Sequence, residues 1–305
     1  MRKDYCVAGH VFSVVMDEAD SLWAEMSQYE PFLLEDGREE EALFVVNVAD
    51  GGHTEEESSC CLPESDEGGE LCYRQGGENG ECMIEIHRIA DGWHIVSASL
   101  ASRPVSMKLW ANGDFSRAEL RIAERGEDLF ALNNALMLMY AFRTAGMGTI
   151  EMHASVIMNG GKGYLFLAES GTGKSTHSRM WLKNVPGSRL LNDDNPIVRL
   201  LDDGTVWVYG SPWSGKTPCY RNESCPVGAM VEIVRADFNK ATQKDAVNAF
   251  SRVYSSSSGM KFDELLGEKL CDTVCGVVSA VKVFTLECLP EAEAALVCRE
   301  AVTRD

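Results

Sequence analysis

Residues 164–176 constrain the fold more tightly than any other part of the chain. Tyr164 to Ala168 is an apolar run that reads as a strand and feeds a glycine-containing loop. The loop ends in Gly173-Lys174-Ser175-Thr176 and passes into a helical pattern. That order is the layout of a phosphate-binding loop, in which backbone N–H groups at a helix N-terminus face an anion. Gly171 and Gly173 permit positive φ and close approach of the backbone to a phosphate. Ser170, Thr172 and Thr176 belong to the same cradle. Lys174 offers a cation to β- and γ-phosphates, and the Ser175 hydroxyl is placed to ligate Mg²⁺. The full pattern has glycine at its first position, where this chain has Ala168.

The 305 residues suffice for one large or two modest domains, and 45% hydrophobic with 25% charged content gives material for a core. A net charge of −19 argues against a broad nucleic-acid or anionic-membrane surface. It leaves room for a local basic pocket holding a nucleotide. The 11 cysteines are odd in number and lack framework spacing. Cys60-Cys61 and Cys271-x3-Cys275 are close pairs without partners at zinc-site spacing, so the thiols read as reduced, in a cytoplasmic protein. The N-terminus carries no signal-peptide apolar core. The apolar stretch Leu129 to Phe142 is too short for a membrane span and contains Asn133 and Asn134, so it reads as a buried helix.

The expected fold is α/β: a P-loop domain with a mixed sheet over residues 123–305, preceded by a smaller β-rich region over 1–122. Val11–Val15, Leu43–Val48, Met83–Ile89, Trp93–Ser99, Ser106–Ala111 and Ala118–Ile122 read as strands of a small antiparallel sheet, with a short helix in 17–29. Residues 49–81 read as a solvated acidic loop. Gly126–Arg143 reads as a helix buried on most sides. Thr149–Met158 reads as one strand joined to the P-loop strand by an Asn159–Gly163 hairpin. Beyond the P-loop helix come a strand ending at Asp194, a hairpin about Asp203-Gly204 and a strand over Val227–Val234. Helices follow at Lys240–Val253 and Phe262–Cys271, then a strand at Val281–Glu287 and a terminal helix.

Asn192-Asp193-Asp194 is the second informative element. Phosphoryl transfer needs an acid for Mg²⁺ and a group that orients or deprotonates an acceptor hydroxyl. Two adjacent acids divide these tasks only at a strand end or bend, because consecutive strand side chains point to opposite faces. Pro196 supports a bend there. His153 lies on the strand that pairs with the P-loop strand. Gly210 to Thr217 forms a second Gly/Ser/Lys loop, from which Lys216 would add positive charge. Arg199 and Arg221 are candidate phosphate clamps. His177 and Trp181, four apart, are expected to pack beneath the loop.

These residues together resemble the catalytic domain of HPr kinase/phosphorylase, whose fold is related to the ATP-dependent phosphoenolpyruvate carboxykinases. The resemblance rests on His153, the hairpin, Ser170 to Ser175 and Asp193-Asp194, and covers about residues 149–222. The runs Ser-Gly-Thr-Gly-Lys-Ser-Thr-His, Asn-Asp-Asp and Ser-Pro-Trp-Ser-Gly-Lys are closer still to HPr-kinase-like proteins of gut bacteria. They also resemble the kinases encoded beside ribosomally made peptides, which phosphorylate a precursor serine. The resemblance implies ATP and Mg²⁺ as cofactors. It gives Lys174 and Ser175 the phosphate and metal contacts, Asp193 the role of general base, Asp194 that of a metal or water ligand, and His153 a phosphate contact. It also implies self-association, since HPr kinase is a hexamer. Thr176 stands where that family has an acid, and no counterpart of its phosphorylase loop is found. Carboxykinase activity is not expected.

The leading expectation is therefore an ATP-dependent kinase acting on a hydroxyl of a peptide, a protein or a small metabolite, with the N-terminal region as the acceptor surface. A non-catalytic nucleotide-sensing module and a nucleoside-triphosphate hydrolase are the alternatives.

Overall fold

The structure, a computed structural model, describes residues 1–34, 41–49, 69–76, 83–98, 105–122, 127–169, 173–215 and 217–304. The chain forms two compact units, Met1–Arg143 and Thr144–Asp305, and the architecture is mixed α/β.

In the first unit the elements are β1 (Arg2–Val7), β2 (His10–Val15), α1 (Leu22–Glu25) with a 3-10 segment Met26–Phe32, β3 (Phe44–Val48), β4 (Glu70–Gln75), β5 (Met83–Ile89), β6 (Gly92–Ala98), β7 (Met107–Asn112), β8 (Arg117–Ile122) and α2 (Asp128–Arg143). They build an eight-stranded sheet in the order β1-β2-β3-β8-β7-β6-β5-β4. The sheet is not purely antiparallel as expected, because β3 runs parallel to both β2 and β8. β1 and β4 were not foreseen. β4 lies within the expected 49–81 loop, of which residues 50–68 and 77–82 are outside the described residues. α2 buries Leu132, Leu136, Met139 and Tyr140 and packs on β3, β7 and β8. The Tyr140 hydroxyl donates to the Val7 carbonyl at 2.9 Å. These contacts draw the helix into the first unit, so the chain divides after Arg143 and not after residue 122.

The second unit comprises β9 (Thr149–Glu151), β10 (Ala154–Asn159), β11 (Lys162–Leu167), α3 (Lys174–Asn184), β12 (Arg189–Asp194), β13 (Ile197–Leu200), β14 (Val206–Tyr209), β15 (Ser224–Arg235), β16 (Lys240–Gln243), α4 (Ala246–Ser255), α5 (Glu264–Ala280), β17 (Val283–Cys288) and α6 (Ala292–Thr303). Its nine strands follow the order β12-β10-β11-β15-β14-β13-β9, with β17 pairing β15 and β16. The long strand β15 joins the two halves: its start pairs antiparallel with β14, and the rest runs parallel to β11 and β17. One face is closed by α4 and α5 over Val156, Leu165, Met230 and Val274. The other is closed by α3 and α6 over Phe166, Trp181, Val231 and Ala295.

The β10–β11 hairpin turns on Gly160 and Gly161, whose φ values of 59° and 78° suit a two-residue turn that other residues resist. Thr149–Met158 is not one strand. The ladder breaks at Met152 and His153, where the backbone N–H groups bond the Pro196 and Ser256 carbonyls at 3.0 and 2.8 Å. Lys240 to Gln243 pairs along β17 and is not helical, and the helix starts only after Asp245, whose side chain caps the Asn248 N–H. α5 runs well past Cys271, to Ala280. Among the described residues no helix is long and apolar enough to cross a membrane, and the described cysteines are free thiols.

Gly163 lies where β11 meets both β10 and β15. A Cβ there would sit 2.5 Å from Val208 Cγ1 and 3.0 Å from Cys225 Sγ. Gly163→Ala should cost about 1–3 kcal/mol through overpacking, read as a lower urea midpoint at unchanged slope.

Candidate functional site

β11 ends at Leu167, and α3 begins at Lys174 behind Gly173, whose φ of 132° is open to glycine. The strand and the helix expected on either side of the loop are present. Ser170, Gly171 and Thr172 lie outside the described residues, as does Lys216. α3 is anchored from below: Trp181 is fully buried against Tyr164 and Phe166. Its indole N–H donates to His177 Nε2 at 3.1 Å. Burial pushes the His177 imidazole down to about 4, so it is a neutral packing group at physiological pH. Ser178 on α3 and Ser155 on β10 share a buried hydroxyl bond of 2.7 Å that fixes the helix to the sheet.

β12 pairs with β10 so that Asp193 faces Ser155 and Asp194 faces Ala154. This register brings both acids to the start of α3. Ser175 Oγ donates to Asp193 Oδ1 at 3.2 Å. His153, freed by the ladder break, places Nε2 2.7 Å from Lys174 Nζ and 3.0 Å from Asp194 Oδ1. One ring nitrogen can accept from the ammonium or donate to the carboxylate, so His153 links the two groups through a single atom. Lys174 also donates to the Ala168 carbonyl at 3.3 Å. Burial lowers the Lys174 pKa, while Asp194 and Asp193 oppose the shift and Arg252 adds to it. The His153 bond holds the Asp194 carboxyl below its usual range against the effect of burial, with Lys174 assisting.

The two acids differ in access. Asp193 is 3% exposed, whereas the Asp194 and His153 side chains are 39% and 42% exposed. The Ser175 hydroxyl is bonded to Asp193, not Asp194, so the geometry couples the P-loop serine to the acid that the resemblance had cast as base. Asp194 can diverge from its neighbour because its φ is 118°, a region that a residue with a Cβ seldom occupies.

The second Gly/Ser/Lys loop holds Asp194 in that conformation. Ser214 pairs with Asp194 as an isolated bridge. Gly215 N and Ser214 Oγ donate to the Asp193 carbonyl at 2.6 and 3.0 Å. A Cβ on Gly215 would lie 3.0 Å from Asp194 Oδ2, so a larger residue would crowd the Asp194 side chain. Asn192, fully buried, pins the loop from beneath: its Nδ2 donates to Ser211 Oγ at 3.1 Å and to the Trp213 carbonyl at 2.9 Å. Its Oδ1 accepts from Asn195 N.

Arg199 and Arg221 are not gathered into this cluster. Arg199 pairs with Thr149 at the far end of β9 and lines a separate cleft of about 770 Å³ with Gly148, Asp202, Asp203 and Asp272. Arg221 sits 3.3 Å from Glu223. Cations that the sequence reading missed come from α4 and from the residue that follows β16. Arg252 and Lys244 both bind Glu232, at 3.5 and 2.7 Å, and Glu232 lies beside Leu167, the residue that ends β11. The legible signal was a single acid inside the apolar run Ala229-Met230-Val231-Glu232-Ile233-Val234.

Among the described residues no group of three or more His, Cys, Asp or Glu is arranged to hold a metal by itself. Ser175 and Asp193 nevertheless fit a Mg²⁺ ion that takes its remaining oxygens from phosphates and water.

No family model matches this chain, and no curated protein matches it. Among solved structures it is similar to the HPr(Ser) kinase/phosphatase from Coxiella burnetii, at 12% identity and a TM-score of 0.29, over 50% of this chain and 95% of that one.

Asp194→Gly should raise stability by about 1 kcal/mol or more, because it relieves the positive φ and loses only a half-exposed ion pair. Thermal unfolding would register the gain. A lower melting temperature would show that the Asp194 conformation is unstrained.

Proposed function

We propose that residues 144–305 form an ATP- and Mg²⁺-dependent phosphotransferase that moves the γ-phosphoryl group to a hydroxyl, in the manner of the HPr kinases that the sequence resembles. The convergence of Lys174, Ser175, His153, Asp193 and Asp194 at one end of β10, β11 and β12 supports this reading most directly. When bound, Mg²⁺ supplies charge neutralisation at the phosphate oxygens. Ser175 and Asp193 would be its protein contacts. Lys174 and the N-terminal N–H groups of α3 offset negative charge on the transferred group. Arg252 adds to that field.

Asp194 takes the acceptor side. It is half-exposed, set at a strand end and steered by His153. It accepts the hydroxyl proton as the oxygen attacks phosphorus and the bond to the leaving diphosphate breaks. A depressed pKa is no obstacle, because phosphoryl transfer through a loose transition state asks more of positioning than of base strength. The acceptor implied by the resemblance is a serine of a peptide or protein. Small hydroxyl metabolites belong in the same screen.

Calorimetric titration of ATP·Mg²⁺ into wild type and Lys174→Ala is the first test, with binding expected in the wild type and lost in the variant. Asp193→Asn should weaken the Mg²⁺-dependent part of binding. Asp194→Asn should bind ATP·Mg²⁺ within about twofold of wild type and lose transfer by about 10²–10⁴-fold. The opposite split would return the base to Asp193. Binding without transfer to any acceptor would favour a nucleotide sensor.

A further inference from the structure

Glu151 ends β9, two residues before His153, where three segments meet. It is paired with Ile197 on β13, shortly after Asp194. Its carbonyl accepts the Ser258 N–H at 2.9 Å, beside the Met152–Ser257 bridge. The side chain is 1% exposed. Among the described residues neither carboxyl oxygen has a hydrogen-bond partner, and the Ser256 hydroxyl on the facing segment is also buried without one.

Lys174, Lys244 and Arg252 are committed elsewhere. Lys174 bonds His153 and the Ala168 carbonyl, while Arg252 and Lys244 bind Glu232. The facing segment 256–258 brings only serines. On β13, Arg199 lies at the Thr149 end, and Lys269 and Asp272 of α5 lie by Gly146 and in the cleft beyond Gly148. The charge that acts on Glu151 is that of Asp194, a like charge, and no hydrogen bond joins the two.

A buried carboxylate with no partner and an anion nearby is strongly disfavoured, and the group persists as the neutral acid. Such a group adds nothing to stability that an apolar side chain of the same shape would not. Its place two residues before His153, within the influence of Asp194, gives it a use.

We propose that Glu151, buried and unpartnered two residues before His153, is a positioning residue of the transfer centre that works as an uncharged carboxylic acid, adding no charge to the Asp194–His153 pair. The proposal rests on the phosphotransfer reading above. Burial, then Asp194, raises the Glu151 carboxyl to about 8. The folded chain therefore keeps a proton that the unfolded chain releases above the ordinary glutamate range. Its contribution to stability falls as pH rises through that range to about 8, then levels off. Above about 8, ionisation places a second negative charge beside Asp194 in a dry site, which pulls on the His153 link and repels a phosphate.

Two measurements need no nucleotide. Carbon-13 NMR of the wild type labelled at the glutamate carboxyls should show one carboxyl still protonated at pH 7, absent in Glu151→Gln. The melting temperature of Glu151→Gln minus that of wild type should widen from pH 5 to pH 8 and then stay constant. A spectrum with every glutamate ionised at pH 7, or a difference that is flat with pH or changes on exchanging K⁺ for Na⁺, overturns the proposal.

The third measurement is ATP·Mg²⁺ affinity at pH 7 and pH 9. Wild type should weaken by about tenfold and Glu151→Gln by no more than about twofold. Equal pH dependence in the two proteins overturns the positioning role. No binding by wild type at either pH overturns the phosphotransfer reading instead, and the first two measurements still decide the state of Glu151.

Discussion

The second unit depends on one interruption in a β-ladder. At Met152 and His153 the backbone leaves its strand partners and bonds Pro196 and Ser256 instead. β9 thereby joins β13, while β10 joins β11 and β12. An unbroken strand would keep His153 in register between two neighbours. The break lets its side chain reach Lys174 and Asp194. It also brings segment 256–258 against Glu151.

Around that break the polar groups are held by rigid neighbours. α3 is fixed by the Ser155–Ser178 bond and by Trp181 in the core, so Lys174 and Ser175 sit on an anchored helix. The acids sit on a strand end whose loop is pinned by the buried Asn192. Buried polar groups of this kind specify position when fully satisfied. Glu151 and Asp194 depart from local rules, one because both oxygens of a buried carboxyl lack a partner and the other by its positive φ. The charge of Asp194 acts on Glu151, and departures from local consistency of this kind are expected in a working site.

Much of this was legible in the residues. The Gly-Lys-Ser turn between an apolar run and a helix located the loop, and the paired acids before Pro196 located the strand end. Periodicity found α2 and nearly all the strands of both sheets. It failed at Lys240 to Gln243, where pairing with β17 overrode a helical pattern. It failed also for the parallel pairings of β3, because nothing in a strand's own sequence names its neighbours. The assignment of α2 to the wrong unit has the same cause: an apolar helix does not say which sheet it covers.

The sequence by itself determined that a Gly-Lys-Ser run stands between a strand and a helix and that two acids close a later strand. That much is local, set by glycine geometry and by residues adjacent in the chain. Only the tertiary structure decided how the groups divide among themselves. Register placed Asp193 on Ser175, and a positive φ turned Asp194 to His153. Distant segments brought Ser214, Glu232, Arg252 and Glu151 around them. Burial and proximity are sums over the whole fold, and no window of sequence contains them.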